Sequence, residues 1–134
     1  MQNQPCCRQV AATSNLNDNT EKFTAFERAL IRAYNFTQTN EDGTISDVKK
    51  YIDIDEDCIR TEVYDGYGYS SPDPDKQSTI ALKDTIVALG YTEDYDIQSL
   101  YNTDIYKNAL AEVIEKNPDN AVYQQLQERF NEYE

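Results

Sequence analysis

The feature that most constrains the fold is the helical spacing of apolar residues in the last third of the chain. One stripe has spacings of three and four and consists of Ile105, Tyr106, Ala109, Leu110, Val113 and Ile114. Because residues three or four apart share one helix face, it predicts a helix over 103–116 with Thr103 as N-cap. A second stripe predicts a helix over 118–133 and consists of Val122, Leu126, Phe130 and Tyr133. The short connection, with Asn117 as cap and Pro118 at the first helical position, favours an antiparallel pair.

Shorter apolar patterns in the rest of the chain predict further helices. Their ranges are 20–35, 46–52, 55–64 and 78–89. In the last range, Leu82, Ile86 and Leu89 are expected to face the core. For residues 59–63 a strand is the alternative, and we prefer the helix.

The remaining segments are expected to be irregular. Residues 65–77 are rich in Tyr, Gly and Pro and are predicted to form an irregular loop. Residues 1–18 are polar without a sustained period, which predicts a flexible N-terminal tail. The whole pattern predicts a mainly α protein, with a single compact acidic domain of about five helices over 19–134. A domain of this length buries about two-thirds of the surface that its unfolded chain exposes.

The charge of the chain is strongly negative and unevenly placed. Twelve Lys and Arg stand against 25 Asp and Glu, which gives a formal net charge of −13. Residues 1–35 contain four bases and three acids, so the acidic character belongs to the rest. Affinity for a phosphate backbone comes mainly from Lys and Arg. We therefore expect no direct binding to nucleic acid or membrane, and a basic protein surface as the partner.

Cysteine content and hydropathy predict a cytoplasmic protein. Cys6, Cys7 and Cys58 are an odd number and two of them are adjacent, so a disulfide framework is not expected. No apolar run has the length of a signal peptide or of a membrane span. We expect a soluble protein in a reducing cytosol, and the sequence does not indicate its oligomeric state.

The absence of His excludes several classes of site. His is the usual general acid or base near neutral pH, the usual activator of Ser and Cys nucleophiles, and a common metal ligand. Three Cys cannot complete a zinc site of four thiolates. Catalysis by carboxylates alone stays formally open. We expect a protein that is not an enzyme, with no catalytic residue, no metal site and no cofactor.

A calcium loop is a weak alternative around Gly43. Asn40 and Asp42 fill the third and fifth positions of an EF-hand loop if Gly43 is the sixth. The first position would be Gln38 and the twelfth, where a bidentate Glu is required, would be Lys49. An Asn-Asp-Gly turn between two helices is the preferred interpretation. Weak cation binding is the third functional hypothesis for the chain.

The stretch "YIDIDEDC" at 51–58 places Asp53, Asp55, Glu56 and Asp57 within five residues. In an extended strand, alternate side chains would lie about 7 Å apart, too far for one ion to bind all three Asp. At the start of a helix the same carboxylates are stabilised by the positive end of the helix dipole. The second interpretation explains these residues without a ligand.

Residues 44–63 resemble a helix-turn-helix in their apolar spacing. In that pattern Val48 and Ile52 belong to the first helix, while Ile59 and Val63 anchor the second. The second helix would be acidic, which is unfavourable for entry into a DNA groove. A helix-turn-helix-like regulator, or a structural adaptor, is the second functional hypothesis.

The leading hypothesis rests on the acidic charge itself. Residues 41–75 contain eleven acids and three bases, and their acids alternate with Tyr in "EVYDGYGY". This combination predicts an acidic binding or inhibitor protein that engages a basic surface, plausibly as a nucleic-acid mimic of the phage or anti-defence type. The residues predicted to contact the partner are Asp53, Asp55, Glu56, Asp57, Glu62, Tyr64, Asp65, Tyr67 and Tyr69.

Overall fold

The computed structural model describes residues 5–66 and 70–134. These residues form seven α-helices and one short 3-10 helix, and they contain no β-strand. The α-helices are α1 (Thr13–Asp18), α2 (Thr20–Thr39), α3 (Glu41–Lys49), α4 (Glu56–Tyr64), α5 (Lys76–Ala88), α6 (Asp104–Lys116) and α7 (Ala121–Tyr133). The 3-10 helix spans Gln98–Leu100. The prediction of a mainly α protein is confirmed, with seven helices instead of about five.

The core lies where α2 packs against α6 and α7. Ile31 on α2 and Leu110 on α6 are fully buried. The rings of Tyr106 and Phe130 lie 5.2 Å apart between centroids, at 50° to each other. Full burial of one large apolar side chain contributes about 1.5–3 kcal/mol. The apolar stripes of the last two predicted helices therefore supply most of the core.

Helix α1 lies within the segment that the sequence predicts as a tail. It contains no buried residue. Local hydrogen bonds close its C-terminal end: the Asn19 side-chain amide donates to Asn15 Oδ1 (2.9 Å), and Thr20 Oγ1 donates to the Leu16 carbonyl (2.9 Å). These local hydrogen bonds stabilise a helix that has no apolar stripe, so the spacing of apolar residues did not predict it.

Helix α3 begins five residues earlier than the predicted range of 46–52 and ends at Lys49. The reason is the N-cap, because Asn40 Oδ1 accepts a hydrogen bond from the Gly43 amide (3.0 Å). A Cβ on Gly43 would lie 2.5 Å from the Asn40 side-chain nitrogen, so glycine leaves room for this cap. The prediction of an Asn-Asp-Gly turn around Gly43 is therefore wrong, because Asn40 alone separates α2 from α3.

The predicted start of the last helix is also wrong. Asn117 closes α6, and its backbone N–H donates to the carbonyl oxygens of Val113 (3.1 Å) and Ile114 (3.0 Å). Asn120 is the N-cap of α7, where its side-chain oxygen accepts from the Tyr123 amide (3.1 Å). Pro118 therefore lies in the turn between the two helices. Both asparagines suit a cap, and only the packing of α6 against α7 decides which one serves α7.

Helix α5 packs along α7 and has no buried residue. Leu89 is 65% exposed, which contradicts its predicted place in the core, and Leu82 and Ile86 are only half-buried. The preceding loop is anchored more firmly than the helix. Asp75 adopts a left-handed backbone (φ 44°) and its carboxylate forms an ion pair with Arg129 of α7 (2.9 Å).

Among the described residues, no helix combines the length and the apolar character needed to cross a membrane.

Candidate functional site

The predicted acidic contact residues lie on the connection after α3, on α4 and just after it. We call residues 53–65 the acidic segment. All six of its predicted carboxylates are exposed, namely Asp53, Asp55, Glu56, Asp57, Glu62 and Asp65. Asp55 is the N-cap of α4, and its Oδ1 accepts from the Asp57 amide (2.9 Å). The chain therefore places three consecutive acids at the positive end of the α4 dipole.

The nearby bases are already engaged by acids. Lys49 donates to the Glu56 carboxylate (2.6 Å), and this hydrogen bond raises the pKa of Lys49 above its usual value. Lys50 pairs with Asp47 in the same way (2.5 Å), with the same effect on its pKa. Arg60 pairs with Glu41 of α3. The Lys49–Glu56 and Arg60–Glu41 pairs link α3 to α4, and Arg60, the one base of the acidic segment, is paired.

Five carboxylates of the acidic segment form no ion pair with a described residue. The five are Asp53, Asp55, Asp57, Glu62 and Asp65. Asp55 accepts only the hydrogen bond that caps α4, and the carboxylates of the other four make no hydrogen bond or ion pair with a described residue. Two further acids of the 41–75 range, Asp73 and Asp75, are buried and do not contribute to this surface. Of the nine exposed acids in the 41–75 range, six therefore lie within the thirteen residues 53–65.

Three apolar side chains adjoin these acids and are exposed to solvent. Tyr51 is 88% exposed, Ile52 51% and Ile54 44%. The predicted helix over 46–52 implied that Ile52 packs inward, which is wrong because α3 ends at Lys49. Residues 50–55 are not helical, so the side chains of Tyr51, Ile52 and Ile54 do not lie on the face of α3 that packs against the core. The acidic segment and its neighbours therefore form a mixed acidic and apolar surface.

Tyr64 has a structural contact that the sequence did not indicate. Its ring is half-buried, and its hydroxyl donates to the Thr37 carbonyl of α2 (2.9 Å). This bond attaches the end of α4 to α2, so the ring is only partly available to a partner. The other two predicted aromatic contacts, Tyr67 and Tyr69, lie outside the described residues.

Two geometric features of this region bear on the competing hypotheses. Over residues 5–66 and 70–134, no three Cys, Asp or Glu side chains come together in a way that could hold a metal ion. The connection between α3 and α4 comprises residues 50–55, six residues, whereas a helix-turn-helix has a turn of about three or four. The second helix of that resemblance starts with Glu56 and Asp57, both exposed.

A second acidic region lies between the C-terminal half of α5 and the segment that follows α5. Lys83 donates to Asp94 and also pairs with Asp84, both at 2.8 Å, which raises the pKa of Lys83 and lowers that of Asp94. These residues line a shallow cleft of about 380 Å³. Here too large apolar side chains are exposed nearby, including Tyr91 (81%) and Leu100 (75%). The one Lys of this region is shared between two acids.

No protein-family model, curated protein or solved structure matches this chain.

Proposed function

We propose that this chain is a non-enzymatic binding protein that uses the acidic segment to engage a basic surface on another protein. The observation that supports the proposal is the set of five exposed carboxylates that form no ion pair with a described residue, next to the exposed side chains of Tyr51, Ile52 and Ile54. A solvated helix face also exposes carboxylates, but it does not require three large apolar side chains beside them.

The charge supplies attraction and orientation. Complementary fields steer encounter and raise the association rate, and the effect weakens as salt increases. On a helix, carboxylates three or four residues apart, such as Glu62 and Asp65 at the end of α4, are about 5–6 Å from each other. That separation is similar to the spacing of phosphate charges along a nucleic-acid strand. We infer that the partner is a nucleic-acid-binding protein, such as an enzyme or a defence complex, whose basic groove the acidic segment occupies.

The apolar side chains supply binding energy at the centre of the contact. Interfaces concentrate their energy in a few desolvated anchors, among which Tyr is enriched. Tyr51 is the best candidate because its ring is almost fully exposed and has few rotatable bonds. Ile52 and Ile54 extend the apolar area toward α4. The acids then form a polar rim around these anchors.

The experiment is affinity capture by the immobilised protein of purified basic nucleic-acid-binding enzymes, followed by titration of each captured enzyme. A triple variant, Asp53→Asn, Asp57→Asn and Glu62→Gln, removes three charges without touching the Asp55 cap or the Lys49–Glu56 pair. A matched control, Glu115→Gln, Asp119→Asn and Glu128→Gln, removes three exposed unpaired charges from the α6–α7 region. We expect the first variant to weaken binding by about tenfold or more, and the control by less than about threefold.

Two results would overturn the proposal. One is binding that the two triple variants weaken equally, since net charge alone would then explain it. The other is affinity that does not change between about 0.05 and 0.3 M salt, because a contact made by exposed charges must be screened over that range. Direct binding of the protein to DNA in a gel-shift assay would instead favour the helix-turn-helix hypothesis.

A further inference from the structure

An open groove of about 800 Å³ runs along α2 where that helix packs beside α6 and α7. Its lining comes from both parts of the core: α2 contributes seven residues, and α6, the turn after it and α7 contribute four. The lining residues with side chains that can bind a ligand include Arg28, Arg32, Asn35, Phe36, Lys116 and Asn117. The groove shares no residue with the acidic segment.

The charge of the groove is opposite to that of the chain. Three of its eleven lining residues are basic and none is acidic, in a chain with 25 acids and 12 bases. Arg28 forms an ion pair with Glu112 (2.7 Å). Arg32 and Lys116 make no ion pair or hydrogen bond with any described residue. Two bases thus stay unpaired in one groove of an acidic protein.

Six of the twelve bases of the chain form an ion pair with a described carboxylate, namely Arg28, Lys49, Lys50, Arg60, Lys83 and Arg129. Arg32 and Lys116 belong to the other six, and these two line the same groove. Arg28 and Arg32 are four residues apart, so their side chains lie on one face of α2, separated by about 6 Å along the axis. Guanidinium groups bind phosphate and carboxylate oxygens with two parallel hydrogen bonds. The groove is therefore suited to an anion with more than one charged group.

Apolar and amide side chains complete the groove. Ala29, Ala33 and the buried Val113 provide an apolar floor, and the ring of Phe36 is 40% exposed beside it. Asn35 uses its side-chain oxygen to accept from Asn120 (3.0 Å), which leaves its NH₂ hydrogens as donors.

Asn117 donates to the Val113 carbonyl (3.1 Å), which leaves its side-chain oxygen as an acceptor. The groove therefore offers a donor, an acceptor and an aromatic face in addition to its bases. A ligand ring with polar edges can accept from the donor, donate to the acceptor and pack on the aromatic face.

We propose that this groove binds a small organic phosphate, of the class of nucleoside di- or triphosphates. The phosphates match the charge of Arg32 and Lys116, which have no partner among the described residues, beside Arg28 in its ion pair with Glu112; a base and sugar match the apolar floor, Phe36 and the two amides. The volume lies within the usual range of small-molecule sites, about 300–1,000 Å³.

A long polyanion fits this groove less well than a compact one. A nucleic acid or an acidic protein would extend beyond the groove and meet the surface of a chain with a net charge of −13. The repulsion would offset the attraction of Arg32 and Lys116. A nucleotide places its whole charge inside the cationic part of the groove.

The test is calorimetric titration of the protein with ATP, ADP, adenosine and inorganic triphosphate, at low salt and without divalent cations. The variants are Arg32→Gln and Lys116→Gln, which remove bases that have no partner and so leave the fold intact. The control is Lys107→Gln, since Lys107 is exposed, unpaired and on the same helix as Lys116. We expect ATP to bind more tightly than adenosine or triphosphate. We also expect either groove variant to weaken ATP binding by about tenfold.

The control should change ATP affinity by less than about threefold, because its charge lies outside the groove. The proposal fails if no probe gives saturable binding, or if Lys107→Gln weakens ATP binding as much as the groove variants do. It also fails if triphosphate binds as well as ATP, since the organic part would then have no role. Tighter binding of an Asp- and Glu-rich peptide than of ATP would point to an acidic protein instead. None of these outcomes depends on the acidic segment, so failure here leaves the proposed function standing.

Discussion

Glu27 is a buried carboxyl whose ionisation opposes folding. It is 7% exposed on the inner side of α2, and its Oε2 accepts from the Gln9 side chain (3.2 Å). Its other oxygen is buried without a hydrogen-bond partner among the described residues. Burial raises the pKa of Glu27 from 4.5 to about 7, and the Gln9 hydrogen bond only partly counteracts this. The folded protein therefore holds this proton at pH values where the unfolded chain has lost it.

We predict that Glu27→Gln removes part of the pH dependence of stability. A carboxyl with a raised folded pKa stabilises the fold below about pH 4.5, and that contribution is lost as pH rises to about 7. The variant should match the wild type near pH 4.5 and be more stable near pH 8, by about 1–2 kcal/mol. Urea unfolding at both pH values measures this.

Glu115→Gln provides the control, because Glu115 is exposed and the variant removes one negative charge without changing a buried group. It should leave the difference between the two pH values nearly unchanged. A Glu27→Gln variant with the same pH slope as the wild type would show that Glu27 ionises normally in the folded chain. Asp73, whose pKa burial also raises, contributes a slope of the same sign in all three proteins.

Leu110 tests the core at the scale of one side chain. It is fully buried on α6 among residues of α2 and α7. We predict that Leu110→Ala lowers the free energy of unfolding by about 2–5 kcal/mol, because it removes apolar contacts and leaves a cavity. Leu100→Ala is the control and should cost less than about 0.5 kcal/mol, since Leu100 is 75% exposed. Equal losses in thermal or urea unfolding would contradict the assignment of the core to α2, α6 and α7.

At the scale of helices, the sequence predicted those with a dense apolar stripe and missed features set by packing. The stripes of α6 and α7 contain residues that are buried in the structure, and their predicted ranges agree within three residues at each end. Helix α5 has an equally regular pattern, with Leu82 and Ile86 four residues apart, yet neither is fully buried. A pattern indicates which face is apolar, but it does not tell what covers that face.

The candidate sites show the same limit. The exposure of the six acids follows from their charge, so the sequence could predict it. The exposure of Ile52 could not be predicted, because its spacing from Val48 is that of a helix that in fact ends at Lys49. The groove was missed for a different reason, since Arg32 and Lys116 are 84 residues apart and only the packing of α2 beside α6 brings them together.

The Arg129–Asp75 ion pair is the main polar link between α7 and the loop before α5. Asp75 also caps α5 through the Ser78 amide (3.2 Å), and its side chain is 9% exposed. We predict that Arg129→Met leaves an uncompensated buried carboxylate and destabilises the protein by about 3–5 kcal/mol. Hydrogen exchange should accelerate in α5 more than in α6, because α6 packs mainly against α2.

Lys76→Met is the matched control for this prediction. Lys76 is the next base along the chain from Asp75 and has no partner among the described residues. It should change stability by less than about 0.5 kcal/mol. If exchange in α5 is unchanged in Arg129→Met, the loop is held by other contacts, such as the Tyr101 hydroxyl bond to the Pro74 carbonyl (2.5 Å).

At the scale of the whole molecule, the net charge of −13 should make stability depend on ionic strength. Like charges repel one another in the compact state, and salt screens them over a Debye length of about 8 Å at 0.15 M. We predict that the melting temperature rises as salt increases from about 0.01 to 0.15 M. A fall would mean that the exposed ion pairs, such as Lys49–Glu56 and Arg28–Glu112, outweigh the repulsion.

The charge is also divided between two surfaces with different expected ligands. The unpaired acids of residues 53–65 are separate from the groove that contains Arg32 and Lys116. A variant at one surface should therefore leave binding at the other unchanged. This independence makes the two proposals separable by experiment.

The most direct measurement of the central claim is hydrogen exchange of the protein with and without a captured basic partner. We predict that binding slows exchange in residues 53–65. In the Asp53→Asn, Asp57→Asn and Glu62→Gln variant, exchange should slow only at higher partner concentration. Slower exchange confined to α6 and α7, with residues 53–65 unchanged, would contradict it.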